Sequence, residues 1–461
     1  MSNDTVSTDT LDALTAFTWE RQPTAAGLAF ELLDEFLAKS SETTKLRDRL
    51  RDETGNRLID FIDSFHMPAN WITDLPQRLQ TAGFAQEGDG VWTHPEGIFP
   101  TIVVTDTAPA KLMFKVESVV DFAEYYPVTK PQPQGTPGSV YRTLAVSREG
   151  DVELIAVERH GWQGFEYSDE SEEYLNAVEK HRVAFCERTR HHKESAAGFA
   201  HTKLLIELAV AELGVERACD LFFYAERKYW EGRNHAAHVQ FERQQKLGLG
   251  WANHDHHTYR SSRECFHLLI EQLEMLGFHC RERFYAGIEA GWGAQVLEQS
   301  RAGFVIFADV DMTPEEIAGD FAHLGLPKRD ELGTVGLWCQ LHGEAYLEAG
   351  MHHLECQFDF DRAREQLAAA GIETMTPFTD FAYLRQAFTQ GEKWHVDPAR
   401  IDVALSAGQI THEQAEQFRN DGALGSHLEI LERNDGYKGF NQTGVSDIIS
   451  RTDPRKWAES H

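Results

Sequence analysis

No stretch of this chain approaches the ~18–20 consecutive apolar residues that would span a bilayer, so no membrane crossing is expected. The first residues, MSNDTVSTDTLDALTAF, are acidic and polar where a secretory leader would be basic and then apolar. Cysteine is scarce, with 6 in 461 residues. Cys186, Cys219, Cys265, Cys280, Cys339 and Cys356 form no C-x-x-C and no close pair. That spacing argues against a disulfide framework or a cysteine zinc site and for reduced thiols in a cytoplasmic setting. Positive charge is short as well: 44 Lys and Arg face 74 Asp and Glu, a formal charge of -30. Such a surface repels nucleic-acid backbones and anionic membranes, so neither is an expected partner.

What is present reads as a folded protein of the α+β class, too long for one ordinary core. Residues 11–64 carry helical spacing, with Leu32, Leu33, Phe36 and Leu37 between charged positions. A small βα module follows: Asp74 as a cap, Pro76 in the first turn, a stop at Gly83, then the strand-like FPTIVVTD at 99–106. Proline and glycine crowd 126–140, as in a linker, and 141–158 suggests a hairpin turning at Glu149-Gly150-Asp151. From Asp169 to Lys246 the period is helical, for two to four helices. These shifts divide the chain into 1–130 (helical segment plus βα module), 131–250 (linker, hairpin and helical insert) and 251–461.

The last region repeats a βαβββ order. NHDHHTYRSS leads through Ser262 to a helix with Phe266, Leu269, Leu273 and Leu276 on one stripe, closing at Gly277. Strands are expected at 278–285, 292–299 and 303–310. A second round begins near Leu337, with strands through LWCQLHGEAYLEAG and MHHLECQF. Asp361 then caps DRAREQLAAAGI, and SHLEILER ends the round. The shared order suggests an internal duplication, with 65–117 as an earlier cousin.

Strand alternation sorts the polar side chains. His256, Thr258 and Arg260 share one face, and His257 and Tyr259 the other. His353, Glu355 and Gln357 share a face, opposite the apolar Leu354, Cys356 and Phe358. Glu429, between Leu428 and Ile430, needs a partner if buried. Two imidazoles and one carboxylate can bind one face of a non-haem Fe(II) ion and leave positions open for substrate and dioxygen. His256, His353 and Glu429 are the candidate ligands. His257, His352, His66 and His94 remain alternatives, and Mn(II) or Zn(II) would also suit the donor set.

Asp255-His256, His353-Leu354 followed by Asp359 and Asp361, and Leu428-Glu429-Ile430 with Arg433 together resemble the iron-binding strands of the vicinal oxygen chelate superfamily. Within it, they are similar to the decarboxylating dioxygenases typified by 4-hydroxyphenylpyruvate dioxygenase. GYKGFNQTGVSDIIS resembles that family's Gly-Phe-rich loop and closing helix, which makes Phe440 a candidate for shielding substrate. His256 with Arg260 is similar to an H-x-x-x-R pattern of the 2-oxoadipate dioxygenase/decarboxylase family, where the arginine would clamp a substrate carboxylate. That second family takes its first ligand from the N-terminal half, where FIDSFHMP and WTHPEGIFP lie.

The resemblance implies duplicated βαβββ modules in a curled mixed sheet, with extra N-terminal and inserted helices. It also implies Fe(II), a small-molecule 2-oxo acid and dioxygen as reactants, and oxidative decarboxylation without external 2-oxoglutarate. Arg260 and Gln357 would orient the substrate. One rival is an extradiol ring-cleaving dioxygenase using His427 or His257 as acid/base. Another is a non-catalytic ligand-binding protein of the same fold. Self-association stays open.

Overall fold

The computed structural model describes residues 19–288, 290–441 and 452–456. Helices Pro23–Lys39 and Ser41–Arg49 come first, the second capped by Ser40, which accepts from the Thr43 N–H. Seven strands follow: β1 (Ile62–Pro68), β2 (Ala85–Gly88), β3 (Val91–Thr93), β4 (Thr101–Thr105), β5 (Ala110–Lys115), β6 (Tyr141–Glu149) and β7 (Val152–Arg159). They form one sheet in the order β2-β3-β4-β1-β5-β7-β6. The hairpin, grouped with the insert in the sequence reading, pairs through β7 with β5 and so belongs to this sheet.

The second sheet holds β8 (His254–Arg260), β9 (His279–Tyr285), β10 (Trp292–Gln299), β11 (Phe304–Asp311), β12 (His353–Gln357), β13 (Thr379–Phe381), β14 (Leu384–Phe388), β15 (Glu392–Trp394) and β16 (Ala423–Arg433). Its order is β9-β10-β11-β8-β12-β16-β14-β13, with β15 also on β16. The sheet is open, ending at β9 and β13. β8 runs parallel to β11 and antiparallel to β12, and β12 parallel to β16. Apart from β13 and β15, which have no counterpart, this is the order and sense of the first sheet, where β1 runs parallel to β4 and antiparallel to β5, and β5 parallel to β7.

A parallel pair needs a crossover, and helices supply it after the first strand of each run: Leu75–Thr81, Val119–Tyr125, Phe266–Met275 and Phe360–Ala369. Phe266, Leu269 and Leu273 meet Leu354, Cys356, Phe358, Leu428 and Ile430 in one buried core. The four helices of the insert, Glu172–Glu187, Ser195–Leu213, Val215–Glu231 and His235–Gln245, send Val178, Phe199, Phe223 and Ala237 into that same core. They therefore roof the back of the second sheet and leave its other face for polar chemistry. Burying each such side chain is worth about 1.5–3 kcal/mol. The first sheet packs on the N-terminal helices through Phe36, Phe61, Phe65, Leu112 and Phe114. No helix among the described residues is long and apolar enough to cross a membrane.

Local expectations are corrected in four places. The run expected as a strand from Leu337 is a helix, Thr334–His342, buried on all sides. Such a run has no usable period, and Asp311 decides it by accepting from the N–H groups of Gly333, Val335 and Gly336 at the helix start. The helix after β12 is capped by Asp359, not Asp361; Asp361 pairs with Arg385 instead. Asp74 precedes its helix but makes no side-chain cap. Two helices, Pro398–Ser406 and His412–Asp421, separate β15 from β16 where none was expected.

Candidate metal centre

Register puts the ligating side chains abreast. His256 on β8 lies opposite Glu355 on β12, and Glu355 lies opposite Glu429 on β16. His353, two residues from Glu355, shares its face. All four are buried. His353 Nε2 stands 3.0 Å and His256 Nε2 3.9 Å from Glu429 Oε2. The ligand atoms of His256, His353 and Glu429 all lie within 4.8 Å of one another. Donors on a common ion at ~2.0–2.2 Å are separated by about 3–4 Å, so this set is spaced to share one.

The other ring nitrogens are held. His256 Nδ1 faces Asp255 Oδ2 and Glu355 Oε1, each at 3.4 Å. His353 Nδ1 lies 2.9 Å from His352 Nδ1. Both contacts leave Nε2 as the ligating atom, the arrangement by which a second layer fixes an imidazole's tautomer and aim. Asp255 is itself clamped by Arg433 through two contacts of 2.9 Å and by the Gln357 amide at 3.1 Å. Gln386 donates to Glu355 at 3.1 Å and to Glu429 at 3.2 Å.

Electrostatics show what this cluster needs. Burial first, and then the neighbouring Glu355 carboxylate, hold Glu429 well above the ordinary range. Burial opposes charge on His256, yet Glu355 and Asp255 raise it to about 9. His353 is pushed well below its usual value by burial, then by His427 and His256. Two carboxylates side by side in a dry site call for a cation, and two imidazoles face the same point. The N, N, O donor set fits Fe(II), with Mn(II) and Zn(II) as chemical neighbours.

The remaining candidates divide. Phe440 sets its ring edge-on to His256 at 5.3 Å and to Phe307 at 4.4 Å, closing one side of the centre. The helix expected to follow Phe440 lies outside the described residues. Arg260 is buried on the same strand. Its Nη2 reaches Thr452 at 3.3 Å and its Nε lies 3.9 Å from Asp309, while Nε and Nη1 have no hydrogen-bond acceptor among the described residues. Gln357 points to Asp255, so its contact with the centre runs through that carboxylate.

His257 faces the opposite side, in the core against Phe223 and Phe304. His352 packs on Trp338 and His427, behind His353. His427 lies on His353 at 4.8 Å between ring centres, and burial with Arg260 takes it down to about 3. His66 is on the first sheet beside Ser64 and Phe165, and His94 packs between Phe84 and Phe99. Neither belongs to a ligating group of three among the described residues.

Sequence reasoning missed Gln386 and, although it singled out Asp255 beside His256 and Glu355 beside His353, gave neither carboxylate a role in the centre. Glu355 was visible on the polar face of β12, but its role depends on which strands flank it.

No protein-family model and no curated protein matches the chain. Solved structures it is similar to include a mutant 4-hydroxymandelate synthase from Streptomyces coelicolor, 11% identical, over 74% of this chain and 96% of that one, at a TM-score of 0.28. A xylose isomerase-like TIM barrel/4-hydroxyphenylpyruvate dioxygenase fusion protein is 11% identical over 94% of this chain and 58% of its own, at 0.22. Methylmalonyl-CoA epimerase from Mycobacterium tuberculosis is 14% identical over 40% and 88%, at 0.23.

Proposed function

We propose that this chain is a non-haem Fe(II)-dependent dioxygenase that oxidatively decarboxylates a 2-oxo acid of 2-oxoadipate-like or arylpyruvate-like form. One observation carries the reading. Two imidazole Nε2 atoms and a carboxylate oxygen from β8, β12 and β16 meet within ligating distance, beside a second buried carboxylate. His256, His353 and Glu429 would hold the ion, which when bound supplies the electrons dioxygen needs and a chelation point for the 2-oxo acid.

The chain's own residues do the rest. Asp255 and Glu355 keep the His256 proton on Nδ1, and His352 steadies His353. Arg260 offers two N–H donors, at Nε and Nη1, that have no hydrogen-bond acceptor among the described residues, in a buried setting suited to a substrate carboxylate. Trp338, 5.6 Å from that guanidinium, supports it from one side. Phe440 and Phe307 exclude water beside His256. Gln357 acts through Asp255, as a positioning residue. The matched strand order of the two sheets supports relating the first sheet, which contains the expected earlier cousin at 65–117, to the two βαβββ rounds of 251–461.

Anaerobic purification with metal analysis, followed by oxygen uptake and carbon dioxide release against panels of 2-oxo acids and catechols, tests the proposal. Stoichiometric iron with carbon dioxide release from a 2-oxo acid is the expected result. Ring cleavage without carbon dioxide would favour the extradiol reading, for which His427, buried beside His353, is better placed than His257, which faces the opposite core. Neither iron nor oxygen uptake would leave a ligand-binding protein.

A further inference from the structure

On the side of β8 away from the metal centre lies a cavity of about 1,100 Å³, walled by the first sheet, the insert helices and the start of β8. A bulge marks the place where β8 borders it. In the pairing of β8 with β12, Glu355 lies opposite His256 but Cys356 lies opposite His254, which leaves Asp255 unpaired. A bulge of this kind re-aims the side chains on either side of it. His256 turns to the metal face, while His254 turns to the other, flat against Phe304 at 5.1 Å and beside His257 at 5.4 Å.

Acids and bases line the cavity in nearly equal number, but two of its cations, Lys115 and Arg227, keep N–H donors without an acceptor among the described residues. Lys115 ends β5 with its side chain exposed to the cavity, and no carboxylate among the described residues lies within 4 Å of it. The acids whose charge reaches it, Asp63, Asp60 and Asp255, are each already paired with an arginine: Arg159 at 2.9 Å, Arg57 at 2.7 Å and Arg433 at 2.9 Å. Arg227, only 5% exposed, gives one nitrogen to Glu117 at 3.3 Å. Its Nε and Nη1 have no acceptor among the described residues. Its guanidinium stands 5.6 Å from the Phe304 ring. Enclosure works against the charge on Lys115, lowering its pKa. An ammonium with no close carboxylate and two unused guanidinium N–H groups beside a flat aromatic wall form a donor set that an anion would complete.

We infer that this cavity is a second ligand site, separate from the metal centre, which takes a small organic anion with a flat unsaturated body. Lys115 and Arg227 bind the anionic group, and Phe304 with His254 and Trp251 receives the ring. Gln357 and Arg433 also line the cavity, and both grip Asp255, which touches His256. The site therefore backs directly onto the second layer of the metal centre.

Titration calorimetry of the full chain, stripped of metal by chelation, with 2-naphthoate and separately with 2-naphthyl phosphate tests this. Saturable one-to-one binding of either probe is expected, and the tighter one tells carboxylate from phosphate. Lys115→Met should weaken binding about tenfold, the usual loss of one charge-assisted contact. His353→Ala should leave binding within about twofold. Lys115→Met should also melt no lower than the parent, because it removes an unmatched charge. Independently of any variant, saturating probe should slow acetylation of Lys115 relative to the exposed Lys246, read by mass spectrometry. Absence of saturable binding, equal affinity in Lys115→Met, loss of binding in His353→Ala, or equal acetylation rates would each overturn the assignment. Binding to metal-free protein keeps this result distinct from failure of the dioxygenase proposal.

Discussion

The two sheets share strand order and direction, yet among the described residues only the second gathers a candidate metal-binding set. In the second, the central antiparallel pair brings His256 against Glu355, with His353 and Glu429 on the same face. In the first, the corresponding pair brings His66 against Lys111 and Ser64 against Met113. A lone imidazole faces an ammonium there, with Met113, Tyr141, Ile155 and Val157 making an apolar patch nearby. Burial and then Lys111 depress His66 to about 4, so it stays neutral, and the carboxylate whose charge reaches it, Asp63, is already paired with Arg159. The lesson is that topology supplies the meeting point and side-chain identity at three or four positions decides whether anything is bound.

The sharpest way to break this contrast is to remove one ligand from each sheet. His353→Ala or Glu429→Gln should abolish stoichiometric iron and oxygen uptake, whereas His66→Ala should change neither. Metal analysis after anaerobic loading reads both. Next in size, Arg260→Met should lower kcat/KM for the preferred 2-oxo acid by about 100-fold with iron content intact. A charge-assisted fork to a buried carboxylate is worth about 2–3 kcal/mol. A fall confined to iron content would contradict that role.

Glu355→Gln removes the charge behind His256 and should weaken iron binding by about 10–100-fold while the protein stays folded, by competition with a chelator. The smallest effect lies with His160, beside the first sheet. There burial opposes its charge, but Asp220 at 2.9 Å and Glu158 at 3.0 Å raise it above its ordinary value. The stabilisation is thus complete below about pH 6.5, the unfolded value, and is lost as pH rises through the raised folded value. His160→Gln should cost about 2 kcal/mol near pH 5.5 and less at each higher pH, by urea unfolding.

Much of the site was legible because a strand's period is two. The phase that set His256 with Arg260 and His353 with Glu355 also set Leu354, Cys356 and Phe358 into the opposite core, where they are. Gln357 shows where the rule fails. It keeps the right parity, but at the strand's end beside the bulge it reaches Asp255 instead. The helix Thr334–His342 shows a second failure, since an apolar run buried on all sides has no period to read and took its form from Asp311.

The amino-acid sequence by itself determined which side chains of a strand share a face, where most of the helices and strands fall, and a formal charge of -30. Those properties are local, set by backbone period and by charge count. Only the tertiary structure decided that β8, β12 and β16 stand side by side, that Glu355 falls between His256 and Glu429, and that one unpaired residue at Asp255 turns neighbouring histidines to opposite faces. Such placements depend on pairings between segments far apart in the chain, Arg433 and Asp255 being separated by 178 residues, and no local pattern encodes which strand will lie next to which.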